Sequence, residues 1–580
     1  MSRKSKFFPV TLSILLCLAL TMGLLASCGN GGNGSSPSPS GSASASASAS
    51  ASASASASAS AGQSSAPEGA QRSKIANIGQ NAESINTDPI FTRNATDGMF
   101  MQMHWEALVY NDRTGRGFDP MLAVRWEQNA DATEWTFWLR EGVYFHHGKL
   151  FDADDAVCSF QYMLDNRDTS SMAMSSFRTL TAVEKIDQYT IKLICNEPTP
   201  LMLTSLLGFY MIPSDLHNEL GPEEAYRWEN ISGTGPWVPA EWISGQYTSW
   251  TRNENYWNKD RYYSYFEEVR LSHLNEPSAI VAAHIAGDFD VYTPSAGMHP
   301  DLIPLYDGVR DRVEIVPVVT NSNNMFVVQT DPEKSIISDY NLRQAINHGI
   351  DRELMISALH NGVGRASTGY FDVMTPGFDP NLDNYAYDPD LAKEYLDKSS
   401  YDGRAIDVMC RTVTTREVNE ALAIADMLAK IGIKLEVNPV DSMTFQTRSE
   451  AGDYDLIYTS APMGSNEPGT GFRMFITTNA ARTNFYDEEL FTMVNQYLSE
   501  PDTDTRVALG TKINERFTDL LWPNIWTIRP STFYARDYGI IGLNLTMDGG
   551  AYHNYIDWDP SYTATSGTSA PTTINHFRVD

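Results

Sequence analysis

The side chains of this chain that could do chemistry are spaced badly for it. His146 and His147 are adjacent, and neighbouring side chains on a strand point to opposite faces, so the two cannot easily hold one ion together. Asp154 and Asp155 form an acidic pair, but Asp152 with Asp155 three places on has the form of a capping box ahead of Ala156-Val157-Cys158-Ser159-Phe160. The pair therefore reads as helix-start chemistry rather than catalysis. Gly233-Thr234-Gly235 suggests a phosphate cradle until one sees that no Lys-Ser or Lys-Thr follows it; it reads as a tight turn entering a strand. The sequence contains no Gly-x-Ser-x-Gly elbow, P-loop or His-Glu-x-x-His helix, and beyond residue 66 no Gly-x-Gly-x-x-Gly dinucleotide turn. Its cysteines, Cys17, Cys28, Cys158, Cys195 and Cys410, have no metal-site spacing. Buried free thiols are expected for the last three, with a Cys158 to Cys195 bridge as the alternative. No catalytic set, metal or cofactor is expected.

Cys28 is the exception, and its chemistry is acylation. Arg3, Lys4 and Lys6 precede a largely apolar run from Phe7 to Leu25, and Leu25-Ala26-Ser27-Cys28 ends it. The tetrad resembles a bacterial lipobox, which implies export, a lipoprotein signal peptide over residues 1–28 and a lipid on the Cys28 thiol. The alternative, a signal-anchor helix, is disfavoured because linker sequence follows Gly29 at once. No other stretch is long and apolar enough to span a bilayer, so the lipid is the only membrane attachment expected.

Residues 29–66 are Gly, Ser, Ala and Pro apart from Asn30, Asn33 and Gln63, with unbroken Ser-Ala alternation from Ser42 to Ala61. So little apolar bulk cannot offset chain entropy, and the segment is expected to be a disordered tether with ends about 35 Å apart. The remainder is longer than one hydrophobic core usually supports, so two or more lobes are expected. Forty-two Lys and Arg against 72 Asp and Glu give a net charge of −30. That balance argues against nucleic acid, whose phosphates need basic stripes.

The body reads as interleaved helices and strands. Glu134 to Arg140 alternates as a strand, and Gly142-Val143-Tyr144-Phe145 continues a β-rich run after a turn. Asp388 caps a helix that opens with Pro389. Between Glu417 and Lys430, the residues Val418, Ala421, Leu422, Ala425 and Leu428 share one helical face; Gly432 ends that helix, and Ile433 to Val437 alternates as a strand. Helix, glycine and strand in this order make a unit of an α/β sheet. The tail from Ser561 to Thr573 reads as frayed.

Several segments together resemble one family, the bacterial extracytoplasmic solute-binding proteins of the dipeptide, oligopeptide and nickel class. Trp105-Glu106-Ala107-Leu108-Val109-Tyr110, then Pro120-Met121-Leu122-Ala123-Val124-Arg125-Trp126-Glu127, is similar to the family's opening. Trp135-Thr136-Phe137-Trp138-Leu139-Arg140-Glu141-Gly142-Val143 with Phe145-His146-His147-Gly148 resembles its "TF-x-LR-x-GV-x-FHDG" hallmark, with His147 where Asp is usual. Gly233-Thr234-Gly235-Pro236-Trp237 and Arg252-Asn253-Glu254-Asn255-Tyr256-Trp257 resemble "GTGPY" and "RN-x-x-YW", and Asn341 to Arg352 resembles "VRQAL-x-x-AIDR".

The resemblance implies a two-lobed, periplasmic-binding-protein-like α/β fold with a hinge. The first lobe would take residues 67–320, with an inserted subdomain at about 113–231, and residues 530–580; the second would take 321–529. Crossovers would lie near Asn321 to Asn324 and Trp526 to Arg529. It also implies an importer's membrane permease as partner and hinge closure around a peptide or peptide-like solute as mechanism. In the peptide binders an aspartate pairs with the α-ammonium; here Gly464 stands at that position and Ala461 at that of a neighbouring tryptophan. Glu467 could replace the charge. The candidate ligand contacts are Thr92, Asn94, Asp97, Asn323, Asn324, Met463, Ser465, Asn466, Glu467, Arg473 and Trp526. An oligosaccharide is the alternative ligand, and a secreted hydrolase or a pheromone-sensing receptor the alternative class.

Overall fold

Asn524–Asp537 is a strand of 14 residues buried along its whole length. Its first part pairs antiparallel with Ser322–Val328 and with Gly364–Ala366, the last pairing reaching Pro530. From Ser531 onward it pairs instead with Val313–Val319, and at Ala535 and Arg536 with Val291–Tyr292. The computed structural model describes residues 73–559 apart from residue 85 and the stretches 92–94, 113–116, 171–175, 295–296, 320–321, 368, 372–374, 380–385, 413–414, 463–467 and 546–550.

On one side of the long strand the sheet continues through Ser322–Val328, Leu456–Pro462, Ile406–Arg411 and Leu435–Val440. On the other it continues through Val291–Tyr292, Ile75–Gln80, Glu268–His273, Tyr247–Arg252 and Trp237–Ile243. Each flank buries its own core. One joins Ala76, Ile78, Trp237, Trp250 and Leu271 to Val316, Val318 and Tyr534; the other joins Phe326, Val328, Leu342, Ile424, Tyr458 and Trp526. Two cores about one shared strand are the two-lobed α/β fold that the sequence resemblance implies. The pairing changes over between Pro530 and Ser531 on this strand, just beyond the Trp526 to Arg529 stretch read from sequence.

A separate four-stranded sheet, in the order Ala123–Gln128, Glu134–Leu139, Thr190–Cys195, Leu180–Asp187, stands off the first flank. Trp135, Phe137 and Leu139 point inward from Glu134–Leu139 in strict alternation. The helix Ala153–Asp165 follows, and its start is a complete capping box. Asp152 accepts from the Asp154 N–H at 3.0 Å, and Asp155 accepts from the Asp152 N–H at 3.0 Å. Gly142 to Phe145, by contrast, is not a strand. Gly142 takes φ +75°, which turns the chain out of a ladder, and only an isolated bridge from Tyr144 to Leu150 remains. Cys158, Cys195 and Cys410 are free thiols, so the bridge held as an alternative does not form.

In the second flank, Asp388 caps Pro389–Lys398 by accepting from the Asp390 and Leu391 N–H groups at 3.1 and 2.9 Å. The helix Thr415–Ala429 ends before Gly432 at φ +99°, and Leu435–Val440 then runs parallel to Ile406–Arg411. The buried face of that helix differs from the apolar one read in sequence. Ala421 and Leu428 are inside, but Leu422 is 49% exposed and Glu417 and Glu420 are buried instead. Both carboxylates find polar partners on other elements, which permits the rotation.

Candidate functional site

The conspicuous sequence segments converge on one carboxylate, and their role there is structural. Glu106 is buried and accepts from Thr234 Oγ1 at 2.7 Å, Tyr256 Oη at 2.8 Å and Trp257 Nε1 at 2.9 Å. Arg140 lies over the Trp257 ring at 4.3 Å and donates through Nε to the Met121 carbonyl at 2.7 Å. Burial pushes the Glu106 carboxyl up to about 7, against the three donors and the Arg140 charge, which pull the other way. Gly233 and Gly235 are required beside it, since a Cβ on Gly233 would sit 1.7 Å from the His104 carbonyl oxygen. The two histidines that suggested a metal are turn residues held apart. His146 is half-buried, its Nε2 3.0 Å from the Gly235 carbonyl and its pKa lowered to about 4 by desolvation. His147 reaches Ser232 Oγ at 2.6 Å and Asp215 at 3.1 Å. Among the described residues no group of three or more metal-ligating side chains occurs.

Polar side-chain atoms left without a partner lie elsewhere, several of them near strand ends. Ile75–Gln80 is parallel to both of its neighbours, and its carboxyl end is the edge at which α/β sheets place ligands. There Gln80 Nε2 and Asn81 Oδ1 are buried with no hydrogen-bond partner among the described residues. Thr293, which follows the next parallel strand, donates its N–H to the Gly79 carbonyl at 3.3 Å, and its Oγ1 lies 2.7 Å from His553 Nε2. Burial lowers the His553 pKa to about 3, so the ring is neutral, and its Nδ1 has no partner. Asn554 Oδ1 has none either.

On the second-lobe side, Asn323 donates to the Gly369 carbonyl at 3.0 Å while its Oδ1 has no partner; Ser531 Oγ, just past the changeover on the shared strand, is likewise without one. Arg529 donates to the carbonyls of Gly369, Tyr370 and Phe371 at 3.2, 3.0 and 2.8 Å, pinning that loop to the shared strand. A buried polar atom left unpaired costs about 1–3 kcal/mol, so these atoms are candidates for contact with a polar solute.

Glu420, fully buried, accepts from Asn324 Nδ2 at 2.6 Å and Tyr458 Oη at 2.8 Å, and lies 2.9 Å from His360 Nε2. Thr527 Oγ1 donates to the Asn324 carbonyl at 2.7 Å, so the network reaches the shared strand.

Two cavities open between the lobes farther out. One, of about 410 Å³, lies between Trp126, Gln128 and Leu203 of the first lobe and Pro468, Tyr497 and Arg506 of the second. The other, of about 530 Å³, lies between Arg178, Glu197 and Pro198 and the second-lobe residues Arg473, Ile476 and Asn495.

The residues singled out in the sequence fall into different places. Asn323 keeps an unpaired oxygen, and Arg473 lines the larger cavity. Asn324 is one layer deeper, committed to Glu420. Asp97 is buried in the first turn of Ala95–Met101 and accepts from Ser84 Oγ at 2.9 Å. Trp526 is 1% exposed in the second core, beside Tyr370, and Arg352 donates to its carbonyl at 2.6 Å; in this conformation it is a core residue. Thr92, Asn94, Met463, Ser465, Asn466 and Glu467 lie outside the described residues. Gln80, Asn81, His553, Asn554 and Glu420 carried no signal in the sequence. Glu106 did, as a member of the opening segment.

A family model described as bacterial extracellular solute-binding proteins, family 5 Middle, matches residues 117–482. The chain is 26% identical over 379 residues to heme-binding protein A of Haemophilus influenzae, covering 61% of this chain and 67% of that protein. It is 22% identical over 537 residues to the oligopeptide-binding protein OppA of Bacillus subtilis, covering 85% and 94%. The solved structure of the ABC transporter substrate-binding protein CtaP from Listeria monocytogenes matches with a TM-score of 0.74 at 18% identity, over 84% of this chain and 100% of that one. At that identity the likeness speaks for the fold.

Proposed function

The chain belongs to the bacterial extracellular solute-binding proteins of family 5, a binding protein of ABC importers rather than an enzyme, and from there we propose that it is a lipid-anchored receptor for a peptide or peptide-like solute. Its lobes, residues 67–320 with 530–580 and residues 321–529, close about the shared strand and present the solute to a membrane permease. Ligand contacts completed only when both lobes engage it favour the closed state. The anchor is the acylated Cys28, and residues 29–66 are the tether. Among the described residues no helix is long and apolar enough to cross a membrane.

The observation that supports a peptide is the character of the unpaired atoms. Gln80 Nε2, Asn81 Oδ1, Asn554 Oδ1 and Asn323 Oδ1 are neutral amide donors and acceptors, the complement of a peptide's own N–H and C=O groups. Thermal denaturation of the purified protein with pooled short peptides and, separately, pooled oligosaccharides tests this. A peptide at a hundred times its Kd adds about 2.7 kcal/mol of stability and raises Tm. A response to sugars with silence from every peptide pool would overturn the reading in favour of an oligosaccharide receptor.

A further inference from the structure

Arg473 carries a charge that no other group among the described residues takes up. It sits on Gly469–Met474, half-buried, and its guanidinium has no hydrogen bond or ion pair among the described residues. The groups around it come from both lobes. Arg178 and Glu197 enter the same 530 Å³ cavity from the first lobe and are paired with each other at 3.2 Å, with side chains 43% and 55% exposed. Thr477, Asn495 and Ser499 add neutral polar lining from the second lobe. Burial, and then the like charge of Arg178, hold the Arg473 pKa below the usual arginine range, with Glu197 acting the other way. Two guanidinium groups therefore share one cavity with a single, half-solvated carboxylate. The balance is one positive charge in excess, at the place where the lobes face each other.

An arginine fork matches a carboxylate or phosphate two oxygens at a time and is less hydrated than an ammonium, so it binds an anion at a small desolvation cost. An anion reached by one guanidinium from each lobe is also a contact that only the closed form can complete. We propose that Arg473 and Arg178 form an anion subsite that receives a carboxylate or phosphate group at one end of the bound solute and ties the two lobes together across it. The proposal deepens the peptide reading and rests on it, the α-carboxylate being the group a peptide would bring. Glu197 competes with that group for Arg178.

The test uses the full chain and two pools of the same tetrapeptides, one with free carboxyl termini and one amidated, with affinity read by calorimetry. The carboxylate pool is expected to bind about tenfold more tightly, the effect of one charge-assisted contact. Arg473→Gln and Arg178→Gln should each remove that preference, Arg473→Lys should keep part of it, and Glu197→Gln should enlarge it. Equal binding of both pools by the unaltered protein, or a preference that survives Arg473→Gln, overturns the subsite and leaves the peptide reading standing. If neither pool binds, the peptide reading fails, and millimolar inorganic phosphate and succinate decide. A rise in Tm that Arg473→Gln abolishes supports the subsite, and no rise overturns it. The unliganded Tm of each variant reports whether it is folded.

Discussion

Glu106→Gln should flatten the pH dependence of stability between pH 4.5 and 7. In the folded protein the Glu106 carboxyl is raised by burial from 4.5 to about 7. A group whose folded pKa lies above its unfolded one contributes stability that is complete below the unfolded value and lost as pH climbs through the folded one. A displacement of roughly two and a half units at 1.36 kcal/mol each amounts to ~3 kcal/mol lost between pH 4.5 and 7 and beyond. Glutamine preserves the shape and can still accept from Thr234, Tyr256 or Trp257, but it does not ionise. Half-buried His146 and buried His553, lowered to about 4 and 3, act with the opposite sign and lose stability as pH falls below 6.5. Asp88, raised to about 6 by burial, acts like Glu106. The difference between the two proteins at each pH isolates the one carboxyl from these backgrounds. Urea unfolding at half-unit steps from pH 4.5 to 7.5 gives that difference. The variant should gain on the wild type by ~3 kcal/mol over the range. Parallel curves would refute the placement of a protonated carboxyl in that knot.

Two other outcomes follow from features already described. Glu420→Ala removes the acceptor shared by Asn324 and Tyr458 and the partner of His360; leaving these buried groups unpaired should destabilise the fold by about 3–5 kcal/mol, visible as an earlier denaturation midpoint, and a loss under 1 kcal/mol would show the network to be dispensable. Cys28→Ser should leave the thermal stability and ligand response of the globular body unchanged while moving the protein from the membrane fraction to the soluble one; a variant still retained on membranes would point to the signal-anchor alternative.

How much of this could be read from the sequence depends on how local the signal is. Asp152 and Asp155 satisfy N–H groups within their own turn, so three residues suffice to predict them, and the same holds for Asp388 ahead of Pro389. The two-lobed fold was recognisable because its segments recur in order, and the structure gives several of them, Glu106, Arg140, Thr234 and Trp257, a common physical reason. Glu420 could not be read in this way. Its partners Asn324 and His360 lie 96 and 60 residues away, and periodicity alone favoured a face containing Leu422 over one holding two carboxylates. Trp526 misleads for the opposite reason. An aromatic ring near a crossover suits a ligand, but the strand carrying it is covered on both faces and the ring fills the core. The unpaired atoms at Gln80, Asn81 and Asn554 are ordinary amides in sequence, and only burial without a partner distinguishes them.

The changeover at Pro530 bears on how cargo is let go. Proline lacks an N–H, so the ladder has a missing rung at the point where the strand passes from one sheet to the other. The lobes consequently have a common axle: they can swing about it, but sliding along it or parting across it would tear rungs from both ladders at once. On the proposed hinge mechanism, cargo would be let go by a turn of one half against the other, with the pivot deep in the body and the travel greatest at the outer rim.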